Sequence, residues 1–321
     1  MYIYVIRRIL LFIPMLIAVS FIVFMLAFIA PGDPLTGERI DPAVDAEVLD
    51  QRREALGIND PFYVQYFDWL GSVAKGELGN SINYNSRTVE GLILSRIDNT
   101  LYLSVFSLLF TIIVALPIGI YSARKPYSLL DYGATTFAFL GLAIPNFFAG
   151  LLLIYVFAFQ LGWFPSQGSV STVGLSGFDY FFDKIRHLIL PGTTLGLAST
   201  AIYMRYIRSE MLDVMTSDFI RAVKAKGMGN RSVLYKHTLR NALIPVITLL
   251  GFEFGMLLSG AVITEAVFNY PGLGTLFLDS IINRDYPVIM GINLILSVTI
   301  LVGNLLADIC YAVVDPRIRY D

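Results

Sequence analysis

The chain has 321 residues, of which 56% are hydrophobic and 15% charged, with a mean hydropathy of +0.67. A soluble chain carries roughly 25% charged residues, so the deficit excludes one or two water-soluble domains and marks a membrane protein. The 23 Lys and Arg against 25 Asp and Glu give a formal net charge of −2, which leaves no basic excess for a nucleic-acid backbone, and the single Cys310 excludes an intrachain disulfide or a cysteine metal cluster.

A helix rises about 1.5 Å per residue, so a hydrocarbon core of ~30 Å needs about 20 mostly apolar residues. The first span is Ile9–Gly32, free of charge over 24 residues. Arg7 and Arg8 precede it as in a signal peptide, but the apolar run exceeds an h-region of roughly 7–15 residues, so it reads as an uncleaved anchor. The segment 33–98 follows, opening on the turn signals Pro31-Gly32-Asp33-Pro34. It carries the acids Asp41, Asp45, Glu47, Asp50 and Glu54 and then the aromatic stretch Phe62–Leu70. Such aromatics either pack as a lid on the bundle, sit at headgroup level, or serve an outside partner.

Asn99–Ala123, charge-free over 25 residues, is the second span. Tyr132–Phe178 has no charge over 47 residues, and Gly162, Pro165 and the Gly/Ser-rich stretch to Gly177 place the end of a third helix near Leu161. His187–Met204 is the fourth span, and Asn241–Phe268, apolar except for Glu253 and Glu265, is the fifth. Tyr286–Ala307, charge-free over 22 residues, is the sixth. The expected fold is an all-α integral membrane protein with six transmembrane helices. Pro14, Pro117, Pro145, Pro191 and Pro245 lie in or at these spans, where a freed carbonyl allows a kink.

With a cytoplasmic N-terminus, the inner segments 1–8, 122–131, 205–240 and 309–321 hold 14 Lys/Arg and six acids, while the outer segments hold nine Lys/Arg and 16 acids. The positive-inside rule therefore puts both termini in the cytoplasm of a multi-pass cell-membrane protein. The inner segment 205–240 has eight basic residues and contains a short helix. Ser217 is the expected N-cap, Asp218 sits in the first turn, Lys224 and Lys226 in the last, and Gly227 stops it. At 100° per residue Phe219, Ile220 and Val223 share one arc of about 100°, with Arg221 and Lys224 opposite. A helix this short needs packing to persist. Its apolar stripe therefore wants a partner: the inner leaflet, this chain's own helix ends, or another subunit.

An acid near the bilayer centre costs about 2.5–3.5 kcal/mol on insertion scales and is a functional candidate by default. Glu253 lies well inside the fifth span, opposite a small-residue stripe of Gly251, Gly255 and Ser259, so it faces either a water-filled path or a packing partner. Glu265 and Asp308, nearer the interfaces, are expected to be solvated. The chain has no G-x-x-x-x-G-K-[ST] phosphate loop, no H-E-x-x-H and no G-x-S-x-G, so it is not expected to be an enzyme or to hydrolyse ATP itself.

With these residues in view the chain resembles the permease subunits of ATP-binding cassette importers, and within them the first of the two permeases of the dipeptide/oligopeptide (and nickel) group. The match runs nearly end to end. It includes Ala30–Pro34, Gly141–Phe148, Leu190-Pro191-Gly192, Arg205–Met211, Asp218–Gly227, Lys236–Pro245, Phe268–Gly274, Arg284–Pro287 and Asp315–Arg319. The resemblance implies a type I importer permease fold with an extended extracytoplasmic segment after helix 1. It divides the chain into an N-terminal helix (1–32), an extracytoplasmic segment (33–97), a permease core (98–312, with the coupling loop 205–240) and a cytoplasmic tail (313–321).

It also implies that Asp218, Phe219, Ile220, Arg221, Ala222, Val223, Lys224, Ala225, Lys226 and Gly227 form a coupling helix seated on an ATPase subunit. The family's usual Ala-Arg-Ala-Lys-Gly reads Val223-Lys224-Ala225-Lys226-Gly227 here, and Lys cannot reproduce a bidentate Arg contact. Glu253 and Asn146 are the translocation-path candidates, and Tyr270, Gly272, Asp279, Arg284 and Asp285 the candidates facing a binding protein. The implied partners are a second permease, two ATPases that carry ATP and Mg, an extracytoplasmic binding protein, peptide and lipid. No cofactor or metal is expected on this chain. The rival readings are a proton-coupled secondary transporter using Glu253, nickel or other solute import by the same architecture, and a membrane-embedded enzyme.

Overall fold

The computed structural model describes residues 2–30, 35, 46–55, 57–84, 87–171 and 174–314. The turn Pro31–Pro34, the acids Asp33, Asp41 and Asp45, and the tail motif Asp315–Arg319 lie outside the described residues.

The first helix, α1 (Tyr2–Ile29), is apolar on nearly every face and largely exposed, as a lipid-facing helix should be. Its N-terminal end is tied to the last helix. The Asp308 carboxylate takes the Arg8 guanidinium at 3.0 Å and the Tyr4 hydroxyl at 3.1 Å. Asp308, expected to be solvated, is thus paired. Within the segment that follows the first span lie α2 (Ala46–Ala55) and α3 (Phe62–Ala74). Phe62 and Tyr66 of α3 meet Phe21, Phe24 and Phe28 of α1 edge-on, with ring centroids 5.2–5.6 Å apart. Aromatic pairs of this geometry add about 0.5–1.5 kcal/mol each beyond area burial. The Tyr66 hydroxyl reaches the Ile17 carbonyl at 3.2 Å and Ser20 Oγ at 3.0 Å, so the aromatic stretch is the packing partner of α1's outer half.

The core of the bundle is α4 (Val89–Arg124), α7 (Gly177–Thr216), α10 (Leu239–Val267) and α12 (Tyr286–Val314). Small residues set the distances. A Cβ on Gly196 of α7 would stand 3.0 Å from the Ser107 carbonyl of α4, and one on Gly119 of α4 would stand 3.0 Å from the Met204 carbonyl. Gly251 and Gly255 of α10 allow the expected close approach, here to Ala307 and Ile300 of α12.

The third expected span is not one helix. Its first half, α5 (Leu129–Ala143), and its second, α6 (Asn146–Leu153, continued by the π-helical turns Ile154–Gln160), meet at 107°. Pro145 supplies no N–H, and it holds the preceding Ile144 in an extended conformation (φ −83°, ψ 122°), which ends α5. Pro14, Pro117, Pro191 and Pro245 by contrast lie inside continuous helices.

Among the described residues four helices qualify as spans by length and apolarity, and five if the bent pair is one. The fourth expected span, His187–Met204, is the middle of the 40-residue α7, where buried Gly, Thr and Ser residues lower the hydropathy. Between α7 and α10 run α8 (Asp218–Ala225), the single turn α9 (Asn230–Ser232) and the π-helical turns Val233–Thr238. Between α10 and α12 lies α11 (Leu273–Ile282).

Candidate functional site

At one end of the bundle, α8 leaves α7 through a single residue. Ser217 occupies the cap position of α8, but its hydroxyl donates backwards to the Val214 carbonyl at 2.7 Å, so it finishes α7 rather than capping α8 as expected. Gly227 ends the helix with φ +76°, a conformation that suits glycine. The apolar stripe divides in two. Ile220 (0% exposed) and Val223 (7%) pack on Val233 and Val214 of this same chain. Phe219 remains 50% exposed, its ring edge-on to the His237 ring at 6.0 Å.

Around Phe219 the exposed residues are Asp218, Arg221, Ala222, Lys224, Ala225, Lys226 and Gly227. The Asp218–Arg221 contact at 3.1 Å is between well-exposed side chains and contributes little. The surface left for a partner is therefore one aromatic anchor in a basic field, while Ile220 and Val223 hold the helix to the bundle.

About two and a half turns back along α7 from Ser217, Arg208 forms a forked pair with Asp131 of α5, Nε to Oδ1 at 2.7 Å and an Nη to Oδ2 at 2.9 Å. Asp131 also accepts the Tyr127 N–H at 2.8 Å, and its own N–H goes to the Ser128 cap at 3.3 Å. Asp131 is buried while Arg208 is partly hydrated. Asp131→Ala is expected to cost about 1–3 kcal/mol, less than a fully buried pair because Arg208 can regain water. Arg208→Lys should recover only part of this, having one point charge in place of a fork; thermal unfolding of both variants in detergent checks the order.

At mid-bundle Glu253 takes the hydroxyl of Ser199 on α7 and, at 3.4 Å, that of Tyr203 one turn further on. It points away from Gly251 and Gly255, as its helical angle required, and remains half-buried. Ser199 and Tyr203 were not singled out in the sequence; the available signal was two hydroxyls four residues apart in a charge-free helix. Asn146, the other path candidate, is the half-buried first residue of α6 beyond the Pro145 break.

The opposite end of the bundle is closed by two buried carboxylates. Glu265 is 0% exposed, against the expectation that it be solvated. It accepts Thr100 Oγ1 at 2.6 Å and the N–H groups of Gly274 (2.7 Å) and Thr275 (3.2 Å), while the Leu273 N–H goes to Thr100 at 2.8 Å. These are the first three donors of α11, so Glu265 and Thr100 together cap that helix. A Cβ on Gly272 would fall on the Glu265 carboxylate, and one on Gly274 would strike the Val262 backbone, so both positions need glycine. Asp285 likewise accepts the Ser81 hydroxyl and the N–H groups of Ile82 (3.3 Å) and Asn83 (3.2 Å). It pins the hairpin around the Asn80–Thr88 bridge onto the start of α12.

Of the five candidates for the outer surface, Tyr270, Gly272 and Asp285 are therefore interior in this chain, Arg284 is half-buried and Asp279 is exposed. Burial, then the Glu265 carboxylate, pushes the Tyr270 phenol above its ordinary range. The hairpin, which sequence reading did not single out, adds the exposed Glu77, Asn80 and Asn83 to this end. Among the described residues no three His, Cys, Asp or Glu side chains converge on a point that could hold a metal ion.

Residues 115–320 match the family described as "Binding-protein-dependent transport system inner membrane component", and residues 1–104 match its N-terminal membrane component. The chain is 48% identical over 317 residues to the oligopeptide transport system permease protein AppB of Bacillus subtilis (strain 168), covering 99% of both chains. It is 40% identical over 335 residues to the dipeptide transport system permease protein DppB of Alkalihalophilus pseudofirmus, again 99% of both. With the glutathione transport system permease protein GsiC of Escherichia coli (strain K12) it shares 39% over 320 residues, 99% of both. Among solved structures, the inward-facing MetNI methionine ABC transporter aligns with a TM-score of 0.56 at 16% identity, covering 70% of this chain and 97% of that one, a likeness of fold.

Proposed function

We infer, because the chain belongs to the family of binding-protein-dependent transport system inner membrane components, that it is the permease through which an ATP-driven importer passes peptides. The carrying observation is the 48% identity, unbroken over 99% of both chains, to an oligopeptide permease. In this reading a second permease completes the path, two ATPase subunits bind ATP and Mg, an extracytoplasmic binding protein delivers the cargo, and both termini are cytoplasmic. The chain itself performs no chemistry.

The geometry supports a lever. Phe219 and the basic residues around it offer α8 to an ATPase groove. Ile220 and Val223 tie α8 to the bundle, and Ser217 joins it to α7 without slack. A push on α8 then moves α7, and through Arg208 and Asp131 it moves α5. Such a push changes the resting state only if α8 contacts the ATPases differently before and after ATP closure. At the outer end, Asp279 and Arg284 with the 77–83 hairpin form the surface offered to the binding protein, while Glu265 and Asp285 keep it rigid. Glu253 and Asn146 are the polar groups offered to the path.

The test is peptide uptake into proteoliposomes. The complete complex with its binding protein and ATP should accumulate labelled peptide at least about tenfold above the same vesicles without ATP. This chain alone, with or without a proton gradient, should accumulate none. Gradient-driven uptake by the chain alone would replace the import reading with secondary transport. Accumulation of nickel rather than peptide would change the cargo and leave the architecture intact.

A further inference from the structure

We propose that Glu253, with Ser199 and Tyr203, is the subsite of the path that receives the ammonium group of a peptide's amino terminus; this rests on the permease reading above. Glu253 is the middle residue of α10, 14 residues from Leu239 and 14 from Val267, about 21 Å of helix from either end. Its oxygens take two hydroxyl donors and, among the described residues, no Lys, Arg or His pairs with it. Hydroxyls orient a carboxylate without neutralising it, so the group keeps the capacity to accept one cation.

The face of α10 that bears Glu253 also bears Met256 and Ile263, which are 69% and 58% exposed in this chain. A carboxylate on a lipid-facing stripe would be costly, so this stripe belongs on the side of the path. One turn along α10, at Leu250, an apolar cavity of ≈ 140 Å³ opens between α4, α7 and α10. Tyr203 lines this cavity and also bonds Glu253, so the charge site and the apolar cavity share a wall. That pairing suits one chemistry: a cation on the same carbon as a side chain that the cavity can take. The first residue of a peptide is such a group, and every cargo peptide with a free amino terminus carries it whatever its sequence. A single acid with two hydroxyls also holds the ammonium loosely enough to release it, which a path requires.

The test uses the complete transporter in proteoliposomes with its binding protein. It compares one peptide with its des-amino analogue, each measured with wild type and with Glu253→Gln. The wild-type to variant ratio is read for each cargo separately, so selection by the binding protein cancels. The ratio should be roughly tenfold or more for the free-amine peptide and near unity for the des-amino analogue, with Glu253→Asp intermediate. Equal losses for both cargoes would make Glu253 a packing residue or the counter-ion of a basic group on the second permease, and would overturn the proposal. No loss for either would overturn it as well.

A second readout does not depend on delivery of the analogue. In a Cys310→Ser background, Glu253→Cys should react with a water-borne cationic thiosulfonate during ATP turnover and be protected by peptide. A thiol silent in every state would overturn the proposal. Failure of the wild type to import any peptide would instead overturn the permease reading on which it rests.

Discussion

Phe219→Asp should release the ATPase subunits from the complex while the permease bundle remains folded. The ring is half exposed and stands edge-on to His237, outside the cluster that holds Ile220 and Val223, so the substitution leaves that cluster intact. An aromatic anchor buried at a partner's groove is worth about 2–4 kcal/mol, which corresponds to a roughly 30- to 1,000-fold weaker docking equilibrium. Co-purification of the ATPases should fall accordingly, peptide uptake should vanish, and the melting temperature of the isolated permease should stay within a few degrees of wild type. Val223→Asp should behave differently. Val223 is packed against Val233 and Val214, so a carboxylate there should free α8 from the bundle and lower the melting temperature as well. If Phe219→Asp left ATPase co-purification unchanged, α8 would have no partner at its exposed face.

Glu265→Ala should loosen the outer end. The substitution leaves the N–H groups of Gly274 and Thr275 and the Thr100 hydroxyl without their acceptor inside a fully buried site. Each orphaned buried donor costs about 1–3 kcal/mol, so a total of about 3–5 kcal/mol is expected after partial relaxation. Glu265→Gln keeps one acceptor oxygen and should cost less than half as much. The readout is limited proteolysis between Leu273 and Asp285, where cleavage should rise steeply for Glu265→Ala and modestly for Glu265→Gln, alongside a lower melting temperature. Equal resistance in all three proteins would mean that α11 is held by its apolar contacts alone. Because Glu265 lies far from α8, ATPase co-purification should be unaffected in both variants.

Much of the architecture was legible because lipid imposes a simple rule. A helix in hydrocarbon satisfies its own backbone, and charge is excluded over a length set by the bilayer. The charge-free runs at Asn99–Ala123 and Tyr286–Ala307 accordingly fall within α4 and α12, and the first run, from Ile9 to Ile29, lies in α1. Features set by contacts distant in sequence were not legible. Pro145 breaks its helix while Pro117, Pro191 and Pro245 do not, although all four sit in similarly apolar surroundings in sequence. α7 overran its apolar stretch at both ends because its polar extremities are held by neighbours such as Asp131.

Glu265 was read as solvated because it lies near a helix end, and nothing local announces that the chain turns back to present Gly274 and Thr275 to it. The stripe of Phe219, Ile220 and Val223 was visible by periodicity. Its division between own chain and partner depends on Val214 and Val233, residues before and after the helix whose return to it only the fold reveals. The Glu253 site was half visible. A buried acid stands out in any apolar run, whereas its hydroxyl partners on another helix do not.

The lever at the inner face is the central claim, and its most direct test is a photo-reactive residue placed at position 219 in the assembled transporter. Irradiation should join this chain to an ATPase subunit, with a yield that changes between the nucleotide-free and ATP-bound states. Adducts only with lipid or with the binding protein, or labelling of position 219 by a reagent confined outside the cell, would contradict the account.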